Sequence, residues 1–544
     1  MKSFFRKKII LPLLAIVIFL STTAFNNDFF EIAKQIEIFT TMFKELNMNY
    51  VDDTNPGDLM DKAIKSMLED LDPYTQFYNE QDVQASRINN AGDYTGIGAN
   101  VLTLKDKLVI VEPYKGYAAD KAGLKAGDEI IKVDNVTVAD FKDDAGNLLQ
   151  GAAGSEVEVT YNRQGQQNTV KITRESLEIH AVPHYSMVDE KTGYVVLRRF
   201  NNKASSETIE AIQSLKAEGA TQLILDLRGN PGGLLSEAVN VTNIFVPANQ
   251  LVVTTKSKVK KYNRTYYTKR APLDTEMPLV VLIDGKSASA SEIVSGALQD
   301  MDRAVVIGSR SFGKGLVQRP KPLTYGTQMK ITISRYYTPS GRCIQALDYW
   351  NRDENGKATR VKEENYKAFK TRNGRPVFDG GGVQPDVEIE NSSATPITKA
   401  IVDGHFVFDF ATQYHYNNAV SDLKSFTLTN NDFKDFKQFL KSKGFSFETK
   451  TEKAFEEALA VAKEEELNNT ISSEYSSLIK SIEAYKAQTI DSNKERLEAL
   501  LTDEIIKRYF YSEGLYEYYT ANNSEIKKGL EILNNPTEYG KILN

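Results

Sequence analysis

The sequence predicts a multidomain α/β protein with a helical segment, a small β-rich module, an α/β core and a helical C-terminal region. Three observations carry this. A chain of 544 residues, at ~150 residues per domain, has room for three or four cores. Its 41% hydrophobic and 26% charged residues are those of folded globular chains rather than of disordered, collagenous or polytopic membrane proteins. The hydrophobic pattern also changes three times along the chain, from helical spacing to short alternating runs, to apolar strands alternating with helices, and back to helix.

The first residues concern the compartment. Lys2, Arg6, Lys7 and Lys8 precede a 12-residue apolar run from Ile9 to Leu20, and small polar residues follow to Ala24. This is the order of an export signal, and the run is shorter than the ~20 residues of a spanning helix. Residues 1–25 are therefore expected to be a signal peptide or a short N-terminal anchor. The body is expected outside the cytoplasm, in the periplasm or cell envelope, with membrane association through the N-terminus if the segment is retained.

Apolar residues at helical spacing from Phe30 to Leu46, and again from Leu59 to Leu71, predict a helical domain over 27–88. Over 92–175 the runs GIGANVLTL, KLVIVEP, DEIIKVDNVTV, SEVEVTYNRQG and QNTVKITR, separated by Gly, Asp and Asn turns, predict a compact β module. Over 176–394 strands such as QLILDLR, PLVVLIDG and RAVVIGS alternate with amphipathic helices, the pattern of a largely parallel sheet. Residues 395–544 are rich in Lys, Glu, Ala and Tyr at helical spacing and predict a helical region whose charge runs are solvated faces.

Composition excludes several chemistries. A net charge of -6 gives no basic field for nucleic acid. Cys343 is the single cysteine and the four histidines are scattered, so neither a disulfide nor a CxxC or HExxH zinc site is expected. Cys343 itself is expected to be a small buried residue.

Chemistry is concentrated in the core. Before SASASEI a buried strand ends at Asp284-Gly285, and a helix starts near Ser291, so Ser287 or Ser289 occupies a tight strand-to-helix turn. Such a turn exposes a nucleophile beside backbone N–H groups, although a plain N-cap serine makes the same pattern. GSRSFGKG approaches a phosphate-binding loop, but Gly315 replaces the required Ser or Thr and LVQRPKPL continues as extended chain, which argues against a nucleotide site. Lys314 is better suited to act as a base, since a desolvated ammonium gives up its charge. DLRGNPGG lies at the carboxyl end of its strand, where ligands of α/β sheets bind and where glycines let amides approach a substrate oxygen.

These motifs resemble the C-terminal processing peptidases, or tail-specific proteases. SASASEI, GKGLVQ and DLRGNPGG are similar to the family's signatures. The resemblance extends through LDPYTQFY, GIGA, GLKAGDEIIKVDN, YTPSGRCIQ and DGGGVQPDVEI and covers about Phe29 to Glu390. It implies an αββ-layered serine protease core with an inserted-type PDZ-like module at 92–175. It also implies a Ser/Lys dyad with Ser289 as nucleophile, Lys314 as base and Gln318 orienting the lysine. The oxyanion hole would be the Ala290 amide with that of Gly232 or Gly233. Spacing alone leaves Ser287 and Ser291 as competitors. Gly96, Ile97, Gly98 and Ala99 would receive the C-terminal carboxylate of a peptide whose chain pairs with the following strand. No metal or organic cofactor is expected, and the partners implied are proteins or peptides with free C-termini. A homodimer or adaptor contact through the helical regions remains open, as does a non-catalytic PDZ adaptor of the envelope.

Overall fold

The structure is a computed structural model that describes residues 29–544 apart from 92, 105, 142–143, 355 and 390–394. The export signal or anchor expected at 1–25 lies outside the described residues. Among the described residues no helix is long and apolar enough to cross a membrane.

Two compact units emerge. In the smaller, a helix over 29–49 precedes the helix Pro56–Glu69. Asn55 caps the latter through its side chain and a proline sits in its first turn, where a missing N–H costs nothing. In LDPYTQFY the Asp72 carboxylate accepts from the N–H groups of Tyr74 and Thr75, both at 2.9 Å, which turns the chain into the strand Gln76–Tyr78. That strand pairs antiparallel with Gln328–Lys330 of the same unit.

The larger unit, Asn79–Arg319 with Thr332–Asn544, contains the β module, the core and the C-terminal helices. The β module closes around Ile97, Leu108, Ile110, Leu124, Ile130, Val157 and Val159. The strand Ala99–Thr103 pairs with Leu108–Pro113 and lies at the edge of its sheet.

The core is built on a six-stranded sheet. His184–Met187 runs antiparallel at one edge, followed in parallel by Thr192–Val196, Gln222–Asp226, Leu279–Ile283, Val305–Gly308 and Val387–Glu388. The parallel strands stand side by side in chain order. Right-handed crossovers between such strands put every connecting helix on one face, and Ala204–Ala217, Leu235–Phe245 and Ala290–Asp300 all join the cluster containing Val195, Leu223, Leu225, Val281 and Val306.

This leaves the opposite face, with Tyr194, Val196, Ile224, Val280, Leu282 and Ile307, without cover from its own crossovers. The end of the C-terminal helical segment covers it, through Ile526, Ile532 and Leu533. Gly529 sits directly on Ile224 and Val280, where a Cβ would meet Ile224 Cδ1 at 3.2 Å. Gln222 donates to Asn534 at 3.0 Å, and the Tyr539 hydroxyl accepts from the Leu279 N–H at 3.0 Å.

The long helix Lys494–Asn522 breaks at Tyr511, with φ 60° and ψ −175°. The break deprives Ser512 of its in-helix acceptor, and the Glu112 carboxylate of the β module accepts from both its N–H and its hydroxyl, at 2.6 and 2.7 Å. The Tyr511 hydroxyl donates to Asp120 of the same module at 2.6 Å.

Candidate active site

The strand Leu279–Ile283 delivers the chain to Asp284, whose carboxylate accepts from the N–H groups of Lys286, Ser287 and, across the loop, Gly229, at 2.9–3.0 Å. The three serines that follow are held differently. Ser287 is fully buried and its hydroxyl donates to the Leu227 carbonyl at 2.8 Å. Ser291 is fully buried too, with its hydroxyl on the Asn230 carbonyl at 2.9 Å. Ser289 is half-buried and sits at the N-cap of the helix Ala290–Asp300.

Its φ of 53° and ψ of −107° are left-handed backbone that a non-glycine residue adopts at a cost of order 1–3 kcal/mol. Neighbours hold it there: Tyr336, buried at 1% exposure, donates its hydroxyl to the Ser289 carbonyl at 3.1 Å, and the Ser289 N–H donates to Glu292 at 2.8 Å.

Glu292 organises the site. It is fully buried, and its Oε2 accepts from the N–H of Ser289 at 2.8 Å and of Lys314 at 2.9 Å. Its Oε1 accepts from the Ser311 hydroxyl at 2.5 Å and the Gly313 N–H at 2.7 Å. One carboxylate oxygen thus ties the backbone of the serine turn to that of the lysine loop. Burial raises the Glu292 pKa to about 6, while the four hydrogen bonds pull it down.

In the sequence Glu292 is one charged residue of the SASASEI motif, with no role of its own implied by the resemblance. The available signal was the Ser-x-x-Glu spacing of a capping box at a helix start.

Lys314 is half-buried between two glycines that fit where little else can. At Gly313, with φ +88°, a Cβ would meet Ala346 Cβ at 2.3 Å; at Gly315 it would meet the Gln345 nitrogen at 2.8 Å. After the lysine the chain runs as the strand Leu316–Pro322, not as a helix. Gln318 lies on this strand and its amide donates to Thr332 Oγ1 at 3.1 Å.

The loop after Asp226 closes over the serine turn. A Cβ on Gly232 would meet the Ala288 carbonyl at 2.7 Å and the Ala290 nitrogen at 2.9 Å; one on Gly233 would meet the Phe200 carbonyl at 2.3 Å. The two glycine amides differ in their use. The Gly232 N–H donates to Asn230 Oδ1 at 2.9 Å, whereas that of Gly233 makes no hydrogen bond among the described residues. Ala290, 1% exposed, begins the helix against Gly232.

In the β module, Ile97 is fully buried and its carbonyl accepts from the Ala119 N–H at 2.6 Å. The Gly98 carbonyl accepts from the Tyr114 N–H at 2.8 Å, and Gly98 has φ +77°. Gly96 closes the short pairing with Glu175 and Ala99 opens the edge strand.

One group elsewhere has donors of the metal-binding kind: Glu178, His180 and Glu207, within 4.8 Å of one another. The Lys203 ammonium already supplies a cation to Glu178 at 2.6 Å.

Residues 191–349 match the model of peptidase family S41, residues 95–173 that of the PDZ domain, and residues 397–533 that of the probable PDZ-protease C-terminal helical domain. A carboxy-terminal-processing protease of Bartonella bacilliformis is 36% identical over 321 residues, covering 58% of this chain and 73% of that protein. A probable CtpA-like serine protease of Staphylococcus aureus is 33% identical over 307 residues, covering 56% and 61%. Among solved structures, a photosystem II D1 C-terminal processing protease is 28% identical, with a TM-score of 0.37 over 65% of this chain and 87% of that one.

Proposed function

The chain belongs to the carboxy-terminal-processing proteases of peptidase family S41, and on that premise we propose an exported serine endopeptidase that selects proteins by their free C-terminus and cuts them with Ser289 and Lys314. Ser289 Oγ attacks the peptide carbonyl carbon while neutral Lys314 Nζ takes its proton. The lysine returns that proton to the departing amine, leaving an acyl-serine. It then takes a proton from the water that hydrolyses the ester, restoring Ser289.

The oxyanion of each tetrahedral intermediate is met by the N–H of Ala290 and that of Gly233. Gly233 is preferred to Gly232 because the Gly232 N–H is already engaged by Asn230. Gln318, on the strand that leaves the lysine loop, orients the Lys314 side chain.

The observation that carries this reading is the shared Glu292 oxygen on the Ser289 and Lys314 backbones, in a turn where the Ser287 and Ser291 hydroxyls are committed elsewhere. Substrate selection falls to the PDZ module. With the carbonyls of Ile97 and Gly98 bonded inward, the turn from Gly96 to Ala99 offers its amides to a terminal carboxylate. The edge strand Ala99–Thr103 offers its free side to the peptide chain. Export to the cell envelope is supported by the charged and apolar order of residues 2–24.

The test is cleavage of an unstructured polypeptide with an apolar free C-terminus, together with labelling by a fluorophosphonate probe. Ser289→Ala and Lys314→Ala, both folded, are expected to lower kcat by about 10⁶-fold, with labelling lost in Ser289→Ala. Equal cleavage by parent and variants would refute the dyad. C-terminal peptide binding without labelling or cleavage would mark a PDZ adaptor instead.

A further inference from the structure

The loop that carries Gly232 and Gly233 is fastened from three directions. From the core, Asp284 accepts from the Gly229 N–H at 2.9 Å and Arg198 donates to the Arg228 carbonyl at 2.6 Å. From the serine turn, the Ala288 N–H and the Ser291 hydroxyl donate to the Asn230 carbonyl at 3.0 and 2.9 Å, and Asn230 in turn holds the Gly232 N–H.

The third fastening comes from the far side of the sheet. The Arg228 guanidinium is bound to Asp226 on its own strand, but its Nη1 donates to Asn523 Oδ1 at 2.9 Å and lies 3.3 Å from Glu525 Oε2. It also lies over the Tyr519 ring at 5.7 Å. Asn523 is the N-cap of the helix Ser524–Leu533 and Glu525 is in its first turn.

A cation at the positive end of a helix is repelled by the helix dipole, so this contact is built rather than incidental. Glu525, 3% exposed, supplies the opposing charge, and Asp226 the second. Burial works against the Arg228 charge, and the carboxylates outweigh it. The guanidinium is thereby divided between the strand that leads into the loop and a helix hundreds of residues away in sequence.

We propose that Asn523 and Glu525 are positioning residues for the oxyanion hole: through Arg228 they fix the loop so that the Gly233 N–H faces the serine turn. This rests on the assignment of the Gly233 and Ala290 amides to the hole. Binding of substrate by the PDZ module does not depend on this contact, whereas stabilisation of the tetrahedral intermediate does.

The experiment compares Glu525→Gln and Asn523→Ala with the parent full-length chain, reading kcat, KM, thermal unfolding and inhibition by a peptide aldehyde, whose hemiacetal oxygen occupies the hole. The expected result is a fall in kcat of about tenfold with KM changed less than about twofold, and aldehyde affinity weakened in step with kcat. Glu525→Asp, which keeps the charge, should recover part of kcat.

Asn534→Ala is the control for mere support. It removes the Gln222 bond near the other end of the same helix and should lower the Tm with kcat unchanged. A Glu525→Gln enzyme with parental kcat and aldehyde affinity would overturn the proposal, as would an Asn534→Ala enzyme that loses kcat equally at equal loss of Tm. A parent that neither cleaves nor is labelled by fluorophosphonate would instead overturn the Ser289 reading, and this proposal with it.

Discussion

One face of the central sheet, with Val195, Leu223, Leu225 and Val281, is covered by helices made between the strands themselves; the other, with Tyr194, Ile224, Val280 and Leu282, by helices that follow much later. The residues alternate along the same strands, so the two faces differ only in which neighbour reaches them. Parallel strands in chain order force this asymmetry, because right-handed crossovers fill one side only. The locally covered face carries the serine turn at its strand ends. The remotely covered face carries the support for that turn, through Arg228 and the packing of Ile526, Ile532 and Leu533.

The comparison breaks most visibly if the remote cover is removed. Burying Ile526, Ile532 and Leu533 contributes ~1.5–3 kcal/mol each, a large share of the ~5–15 kcal/mol of a typical domain. A chain ending at Asn522 is therefore expected to show no cooperative core transition in calorimetry. A sharp transition with full activity would make the late helices an appendage.

A gentler test sets the faces side by side. Ile526→Ala and Leu298→Ala, each at a position 0% exposed, should both cost about 2–5 kcal/mol in denaturant unfolding. A cost below about 1 kcal/mol on the Ile526 side alone would show that the remote layer is loosely packed.

Glu292 sharpens the contrast between activity and stability. Its carboxylate accepts four hydrogen bonds only when ionised, so kcat should fall as pH drops through about 6. Glu292→Gln should lower kcat by about 30–100-fold and leave an acid limb set by protonation of Lys314 alone. Stability runs the other way. Burial raises both Glu292 and Asp503, on the remote side, to about 6, so between the ordinary carboxyl range and pH 6 the folded state holds more protons than the unfolded one. Both groups then favour the fold increasingly as pH falls. Chemical unfolding at pH 5 and pH 7, compared with the kcat profile, checks the opposition.

The smallest effect is expected from Tyr539→Phe. It removes the hydroxyl that accepts from the Leu279 N–H and costs about 1 kcal/mol in thermal unfolding, with kcat unchanged.

What was legible in the sequence follows the same division. Strands such as PLVVLIDG and their following helices announce themselves by local periodicity, and SASAS, GKG and DLRGNPGG lie at the ends of such units. Ser289 was preferred over Ser287 and Ser291 by resemblance. The differing burial and bonding of the three hydroxyls is a property of contacts to Leu227 and Asn230, more than fifty positions away. Glu292 reads as a charged residue of a helix start, and nothing local says that its carboxylate is enclosed by Ser311, Gly313 and Lys314. The helix Ser524–Leu533 shows an amphipathic pattern in sequence, but an apolar stripe does not name the surface it covers.

The late cover of the sheet also sets a schedule. Roughly 200 residues separate Gly308 from Ser524, and at ~5–20 residues per second a ribosome takes on the order of 10–40 s to make them. Without the late helices, Ile224, Val280, Leu282 and Ile307 have no cover from the crossovers of their own sheet. A nascent chain at this stage is a natural client for holding factors, and the loop behind Arg228 lacks its third anchor until Asn523 and Glu525 arrive. The third anchor of that loop is thus made only when the last helices of the chain dock on the sheet.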